Sequence, residues 1–167
     1  DVGQVVEPRW SQVQAPSYRQ WRRLLEEKAI PSVVATEGMR VQVDELVLET
    51  LAPAEASDNA NVALLLTASG HRLVLTSSLA AADLDAAALS DADWSGEIGA
   101  LPRKFDPTLL NRIDPSTAIL FAGEGSREQP SAEALALLQG RTLLRTDERG
   151  DIEVILDGPK VEVRTER

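Results

Sequence analysis

The chain has 167 residues, a formal net charge of −10 and no cysteine. Disulfides, thiolate catalysis and cysteine-ligated zinc are therefore excluded, and an acidic surface disfavours phosphate backbones, which proteins bind mainly through Lys and Arg. With 43% hydrophobic residues but no apolar run near the roughly 20 residues that span a bilayer, the composition is typical of a soluble globular domain.

The first half of the chain combines one helix with several strands. Residues 5–6 predict a short strand, and apolar side chains between residues 18 and 29 fall at helical spacing until Pro31 ends the helix. Residues 32–35 are β-prone. A hairpin is predicted from residues 39–43 and 46–51, with its turn at residues 44–45. A second hairpin joins the apolar run 62–66 to residues 72–76 through the turn Ser69-Gly70-His71.

The second half alternates predicted helices and strands. Residues 79–89 are rich in Ala and Leu and predict a helix, a short strand lies near Ile98, and Pro107 opens a helix that reaches about residue 112. After a strand at residues 117–121, Ser131 is a predicted helix N-cap and Gly140 the end of that helix. Strands follow at residues 142–145, 152–156 and 161–163, with a turn at 147–150. This order predicts a layered sheet with helices packed outside.

Several stretches of the chain carry a likeness to a known family: residues 2–8 (VGQVVEP), the helix around Tyr18, residues 38–41 (GMRV), residues 48–53 (LETLAP), Asn59 and Asn61, residues 72–79, and residues 145–147 (RTD) with Gly150. Read in order, they resemble the latter two-thirds of the metallo-β-lactamase-like domain of ComEC-type competence proteins, membrane proteins that take up transforming DNA. The resemblance implies an α/β fold of the αββα sandwich type, with two stacked mixed sheets, outer helices, and the second sheet completed by strands between residues 142 and 163. Residues 1–167 would form a single domain, as a fragment of a longer protein.

The metal positions of that family are altered in this chain. The family's "L-T-G-D-L" aspartate, which bridges two metals, aligns with Ser78 in LTSSL at residues 75–79. The histidines of "H-H-G-S" align with Ala100 and Leu101, and the histidine of "H-P" aligns with Gln129. Hydroxyl, methyl and amide groups are poor substitutes for carboxylate and imidazole ligands of divalent cations. The family would bind two metals such as Zn or Mn, so these vestigial cleft positions imply a domain without that cofactor.

The resemblance and its departures together imply a non-catalytic, degenerate module of a ComEC-type DNA-uptake protein. Its partners would be other domains of that membrane-embedded protein, and direct nucleic-acid binding is disfavoured by the charge. We expect a soluble domain attached to a bacterial cell membrane without insertion, on a side that the sequence leaves open. Two alternatives remain: an active metal-dependent phosphodiesterase or nuclease whose ligands lie outside this chain, since the family's first metal motif would precede Asp1, and a stand-alone binding or scaffold domain.

Other residues with reactive or charged side chains are predicted to have ordinary roles. His71, the only histidine, is expected to be exposed in a hairpin turn. Ser78 is a predicted helix N-cap, because no G-x-S-x-G nucleophile motif surrounds it. The arginines of the first helix are expected on its outer face: Arg19, Arg22 and Arg23. An acidic cluster is expected to be a solvated surface: Asp83, Asp85, Asp91 and Asp93.

Overall fold

The computed structural model describes residues 2–8, 15–52, 61–76, 91–105, 107–123 and 129–167. Their strands are β1 Val5–Glu7, β2 Ser32–Val34, β3 Arg40–Val43, β4 Leu46–Ala52, β5 Ala63–Ala68, β6 His71–Leu75, β7 Ile98–Leu101, β8 Thr117–Leu120, β9 Thr142–Arg145, β10 Ile152–Asp157 and β11 Lys160–Thr165. Their helices are α1 Pro16–Glu27, α2 Pro107–Ile113, α3 Ala132–Leu137 and α4 Thr146–Arg149.

Seven strands form one large mixed sheet in the order β3-β4-β5-β6-β7-β8-β9. Strands β3 to β6 are antiparallel, with tight turns between β3 and β4 and between β5 and β6, whereas β6 to β9 are parallel and need crossover connections. Both predicted hairpins and the predicted strands near Ile98 and at residues 117–121 are confirmed. The described residues therefore form a mixed α/β fold, built on one large mixed sheet with few helices among them.

One face of this sheet holds the hydrophobic core. Register partners share a face of a sheet, and Leu65, Val74, Gly99 and Ala118 form such a row. Leu65, Val74 and Ala118 belong to a buried cluster with residues of α2 and the residue after α3, namely Leu109, Leu110, Ile113 and Leu138. Trp94 completes the cluster at 2% exposure. Helix α3 begins as predicted, because the Ser131 hydroxyl accepts a hydrogen bond from the Ala134 N–H at 3.1 Å.

The opposite face carries two apolar rows, which together we call the leucine face. The first row is Leu48, Leu66 and Leu73, and the second is Leu64, Leu75, Ala100 and Ile119. The five leucines are only half-buried, although Ala100 and Ile119 are buried. Continuous apolar runs such as residues 62–66 are typical of strands that are covered on both faces. Because the leucines of this face are only half-buried, the described residues cover it incompletely.

The remaining strands form two small sheets. Strands β1 and β2 are parallel and are connected through α1, and β10 pairs with β11 as an antiparallel hairpin. The buried carboxylate of Glu7 accepts hydrogen bonds from the Tyr18 hydroxyl at 3.1 Å and from Arg22 at 2.5 Å. Arg19 and Arg23 are exposed as expected, whereas Arg22, whose side chain is 39% exposed, also neutralises this buried charge.

Three sequence expectations about the second half are corrected or left open. Strand β9 joins the large sheet and β10–β11 stand apart, so residues 142–163 do not build one second sheet, and a second large sheet is not found within the described ranges. The predicted turn at residues 147–150 is instead the short helix α4, which Gly150 ends with a φ of 71°. The helix predicted at residues 79–89 lies outside the described residues.

Candidate functional site

The parallel strands β6 to β9 end at one edge of the large sheet. In α/β proteins, ligands bind beyond the carboxyl ends of such strands, because the loops that follow them converge there. The residues that follow these four strands are Thr76, Pro102, Phe121 and Thr146. This edge, which we call the carboxyl edge, is the candidate functional site, and two of the vestigial positions named from the sequence, Ala100 and Gln129, are described close to it.

Ala100 lies in the middle of β7 and belongs to the leucine face. It is 2% exposed, and its register partners are Leu75 and Ile119. Its carbonyl oxygen accepts hydrogen bonds from the backbone N–H of Thr76 at 2.8 Å and from the Thr76 hydroxyl at 3.0 Å. The position thus presents a methyl group in an apolar setting. Ser78, two positions after Thr76, lies outside the described residues.

A cavity of about 760 Å³ lies between the leucine face and the β10–β11 hairpin. Its apolar wall includes Ala100, Ile119 and Phe121, and the hairpin contributes Ile152 and Val154. Its polar lining residues are Thr146, Asp151, Glu166 and Arg167. The volume lies in the range of pockets that hold small ligands, and the mixed lining suits a molecule that is mostly apolar.

Gln129 is the centre of a polar network at the carboxyl edge. Its Nε2 donates to the carbonyl oxygen of Gly123 at 2.5 Å and to Oδ2 of Asp147 at 3.1 Å. Its Oε1 accepts a hydrogen bond from Nη2 of Arg145 at 2.6 Å. Both ends of the amide therefore have partners, and the side chain links the segment after β8 to the end of β9.

Arg145 and Asp147 form the charged part of this network. Nη2 and Nε of Arg145 donate to the two carboxylate oxygens of Asp147 at 2.6 and 3.1 Å, and both side chains are nearly buried. The hydrogen bond from Arg145 holds the pKa of Asp147 below its usual value, and the bond from Gln129 acts in the same direction. The pKa of Arg145 is raised, chiefly by its hydrogen bond to Asp147. Each partner thus stabilises the charged form of the other.

Thr146 is the hydroxyl residue next to this network. Its Oγ1 accepts a hydrogen bond from the Ala122 N–H at 2.9 Å and donates to the Ala122 carbonyl at 2.8 Å. A nucleophilic hydroxyl needs a neighbouring general base to remove its proton. The Thr146 proton is directed at a carbonyl oxygen instead, so the hydroxyl connects β8 to α4 and is not arranged for nucleophilic attack.

The residues at the carboxyl edge do not fit a pair of divalent metals. The Ala100 side chain offers no ligand atom, its carbonyl oxygen accepts two hydrogen bonds from Thr76, and Oε1 of Gln129 is already bound to a guanidinium. The positive charge of Arg145 would repel a cation placed beside Gln129. Within the ranges that the structure describes, no group of three or more His, Cys, Asp or Glu side chains is arranged to hold a metal ion.

His71 lies at the other end of the parallel strands, and its predicted exposure is wrong. The turn contains Ser69 and Gly70, and His71 is the first residue of β6. Its Nδ1 is 2.5 Å from Oε1 of Glu97, and its side chain is 16% exposed. Its Nε2 is buried without a hydrogen-bond partner among the described residues. Glu97 follows His71 by 26 positions, so no local sequence signal indicated this pair.

The described part of the predicted acidic cluster consists of Asp91 and Asp93, which differ in their contacts. Asp91 is exposed. Asp93 accepts a hydrogen bond from the Ser95 N–H at 3.0 Å and forms an ion pair with Arg72 at 3.0 Å, and its pKa is lowered chiefly by the Ser95 bond. Asp93 therefore organises the loop before β7, while Asp83 and Asp85 lie outside the described residues.

None of the described helices is both long enough and apolar enough to cross a membrane. In comparisons with known proteins, no family model matches the chain. No curated protein matches it at a significant level either.

Proposed function

We propose that this chain is a non-catalytic, degenerate metallo-β-lactamase-like module of a ComEC-type DNA-uptake protein. The observation that carries the proposal is the chemistry of two vestigial positions, Ala100 and Gln129. Ala100 contributes only a methyl group to an apolar wall, and the Gln129 amide is held by Gly123, Asp147 and Arg145. A two-metal hydrolase needs ligands that bridge and complete both metal positions, so water activation would fail here.

The layering of the fold supports the same proposal. The large sheet has its helical core on one side and the half-buried leucines on the other. An αββα sandwich contains just such a sheet, whose second face packs on another sheet at about 10 Å. We propose that the leucine face packs on a second sheet of the whole domain, and that the β10–β11 hairpin lies at the border of that interface.

In the proposed setting, this domain contributes shape and contacts to the larger protein, without chemistry of its own. Its partners would be neighbouring domains of a membrane-embedded protein. The net charge of −10 makes a direct role in holding DNA unfavourable, because counterion release from phosphates requires basic side chains.

Metal analysis of the purified protein tests this proposal. We expect less than stoichiometric zinc or manganese after equilibration with either ion, and no hydrolysis of a simple phosphodiester such as bis(p-nitrophenyl) phosphate. One or two tightly bound ions per chain, together with phosphodiester hydrolysis that a chelator abolishes, would instead establish the active hydrolase, with ligands from other parts of the protein.

A second candidate function, a stand-alone binding domain, is favoured by the cavity between the leucine face and the hairpin. Its volume of about 760 Å³ is sufficient for a small apolar ligand. Phe121 is suited to a test, because it lines the cavity and is 51% exposed, so that its replacement spares the core. An apolar fluorescent dye should bind saturably to the wild-type protein, and Phe121→Asp should abolish this binding. Dye binding that is the same in both proteins would reject this candidate.

A further inference from the structure

Four oxygen atoms surround the guanidinium of Arg145. Oε1 of Gln129 and Oδ2 of Asp147 each lie 2.6 Å from Nη2. Oδ1 of Asp147 lies 3.1 Å from Nε, and Oε1 of Glu148 lies 3.0 Å from Nη1. The Arg145 side chain is only 15% exposed, so most of this charge is removed from water and depends on these oxygens for solvation.

These oxygens come from separate parts of the chain. Gln129 precedes α3 and is also bonded to Gly123 after β8, Arg145 is the last residue of β9, and Asp147 and Glu148 belong to α4. Without the guanidinium, Oε1 of Gln129 and Oδ1 of Asp147 would lose the donors that they have in this structure, and the Gln129 Nε2 bond to Oδ2 of Asp147 would remain. A bound metal ion joins chain segments in this way, through oxygen atoms that converge on one cation.

We propose that the Arg145 guanidinium is the fixed internal cation that assembles the carboxyl edge, in the structural role that a bound metal would otherwise have. This inference deepens the proposed function and rests on it, because it explains how the edge is held together when the metal positions are degenerate. The four oxygens bond to three different nitrogens of the guanidinium, and three of them belong to the carboxylates of Asp147 and Glu148. Removing the guanidinium should therefore leave two carboxylates and an amide oxygen, which are the ligand types that calcium prefers.

The test compares Arg145→Lys with Arg145→Gln by thermal unfolding of the full chain. Lysine keeps the charge and loses the forked geometry, whereas glutamine keeps much of the length and loses the charge. Breaking a nearly buried ion pair in a chain of this size should lower the melting temperature by about 6–12 °C. We expect Arg145→Gln to show this loss and Arg145→Lys to recover at least half of it.

Calcium provides the second arm of the test. A site with few carboxylates binds calcium at roughly millimolar concentration, so about 10 mM calcium chloride should raise the melting temperature of Arg145→Gln by about 3–6 °C. Sodium chloride of equal ionic strength serves as the control for screening. The wild-type protein should not respond, because its own guanidinium fills the position.

Arg141→Gln is the matched control variant. Arg141 is also largely buried, at 23% exposure, and it bonds to the Pro115 carbonyl, but its carboxylate partner Asp114 is 74% exposed. We expect calcium to leave the melting temperature of Arg141→Gln unchanged. Equal melting temperatures for Arg145→Lys and Arg145→Gln, or a glutamine variant that calcium does not stabilise, would overturn the inference. Zinc bound by the wild-type protein would instead refute the proposed function and leave the comparison of the Arg145 variants intact.

Discussion

Replacing Gln129 with alanine removes one side chain that has three partners. The substitution takes an acceptor from Arg145 and a donor from the Gly123 carbonyl and from Asp147. A hydrogen bond to a charged group contributes about 1.5–3 kcal/mol, and a neutral one about 1 kcal/mol. Because the three bonds belong to one network and Gln129 is half-buried, their contributions do not add, and we expect a loss of about 2–3 kcal/mol in the free energy of unfolding.

Equilibrium unfolding in urea measures this loss. The midpoint should fall while the dependence on urea concentration stays constant, because the surface exposed on unfolding is unchanged. Gln139→Ala is the control, since Gln139 is an exposed residue just after α3 and its replacement should change stability by less than about 0.5 kcal/mol. If Gln129→Ala and Gln139→Ala have the same stability, the network does not hold the carboxyl edge together.

Three further predictions concern the same region. The hydrogen bond from Arg145 depresses the pKa of Asp147, so the ionised Asp147 stabilises the fold above the unfolded-state pKa of about 3.9. This stabilisation is lost as pH falls through the lower folded-state pKa. The urea midpoint should therefore decline below about pH 4, and it should decline less steeply in Asp147→Asn. Gly150→Ala should lower the free energy of unfolding by about 1–2 kcal/mol, because φ of Gly150 is 71° and the added Cβ would meet Glu166. Urea unfolding measures this loss, and an unchanged midpoint would contradict it. Gln129→His should not bind zinc stoichiometrically in equilibrium dialysis, because a single imidazole beside a guanidinium lacks the other ligands; one zinc ion per chain would contradict the account of this site.

The local elements were largely predictable from the sequence. The predicted helix is confirmed as α1, and its sequence signal is an apolar periodicity between Pro16 and Pro31. The predicted hairpin is confirmed as β5–β6, and its signal is a pair of β-prone runs on either side of a turn that contains Gly70. These signals are local, since they depend on side chains a few positions apart and on the backbone freedom of glycine.

The arrangement of these elements was less predictable. Whether β9 or β10 joins the large sheet is decided by packing over the whole domain, and the strand signals of the two segments are alike. The turn predicted after Arg145 is a helical turn, in which Asp147 and Glu148 approach the preceding arginine. A short polar segment ended by glycine is compatible with either structure, so the sequence did not distinguish them.

One residue of the carboxyl edge, Gln129, is named by the sequence analysis, but its contacts are not predicted there. Gln129 was singled out as a vestigial position from a resemblance, and the structure places it at the carboxyl edge with Arg145 and Asp147. Its separation from Arg145 is 16 positions, and that of His71 from Glu97 is 26, so neither pairing has a periodic signal. Such pairings follow from strand order, which the sequence alone does not determine.

Anomalous diffraction from crystals soaked in zinc or manganese would test the central claim most directly. The account predicts no anomalous peak beside Ala100 and Gln129, because a methyl group and a guanidinium-bound amide occupy those positions. Two strong peaks a few ångströms apart, coordinated by side chains at the carboxyl edge, would contradict it.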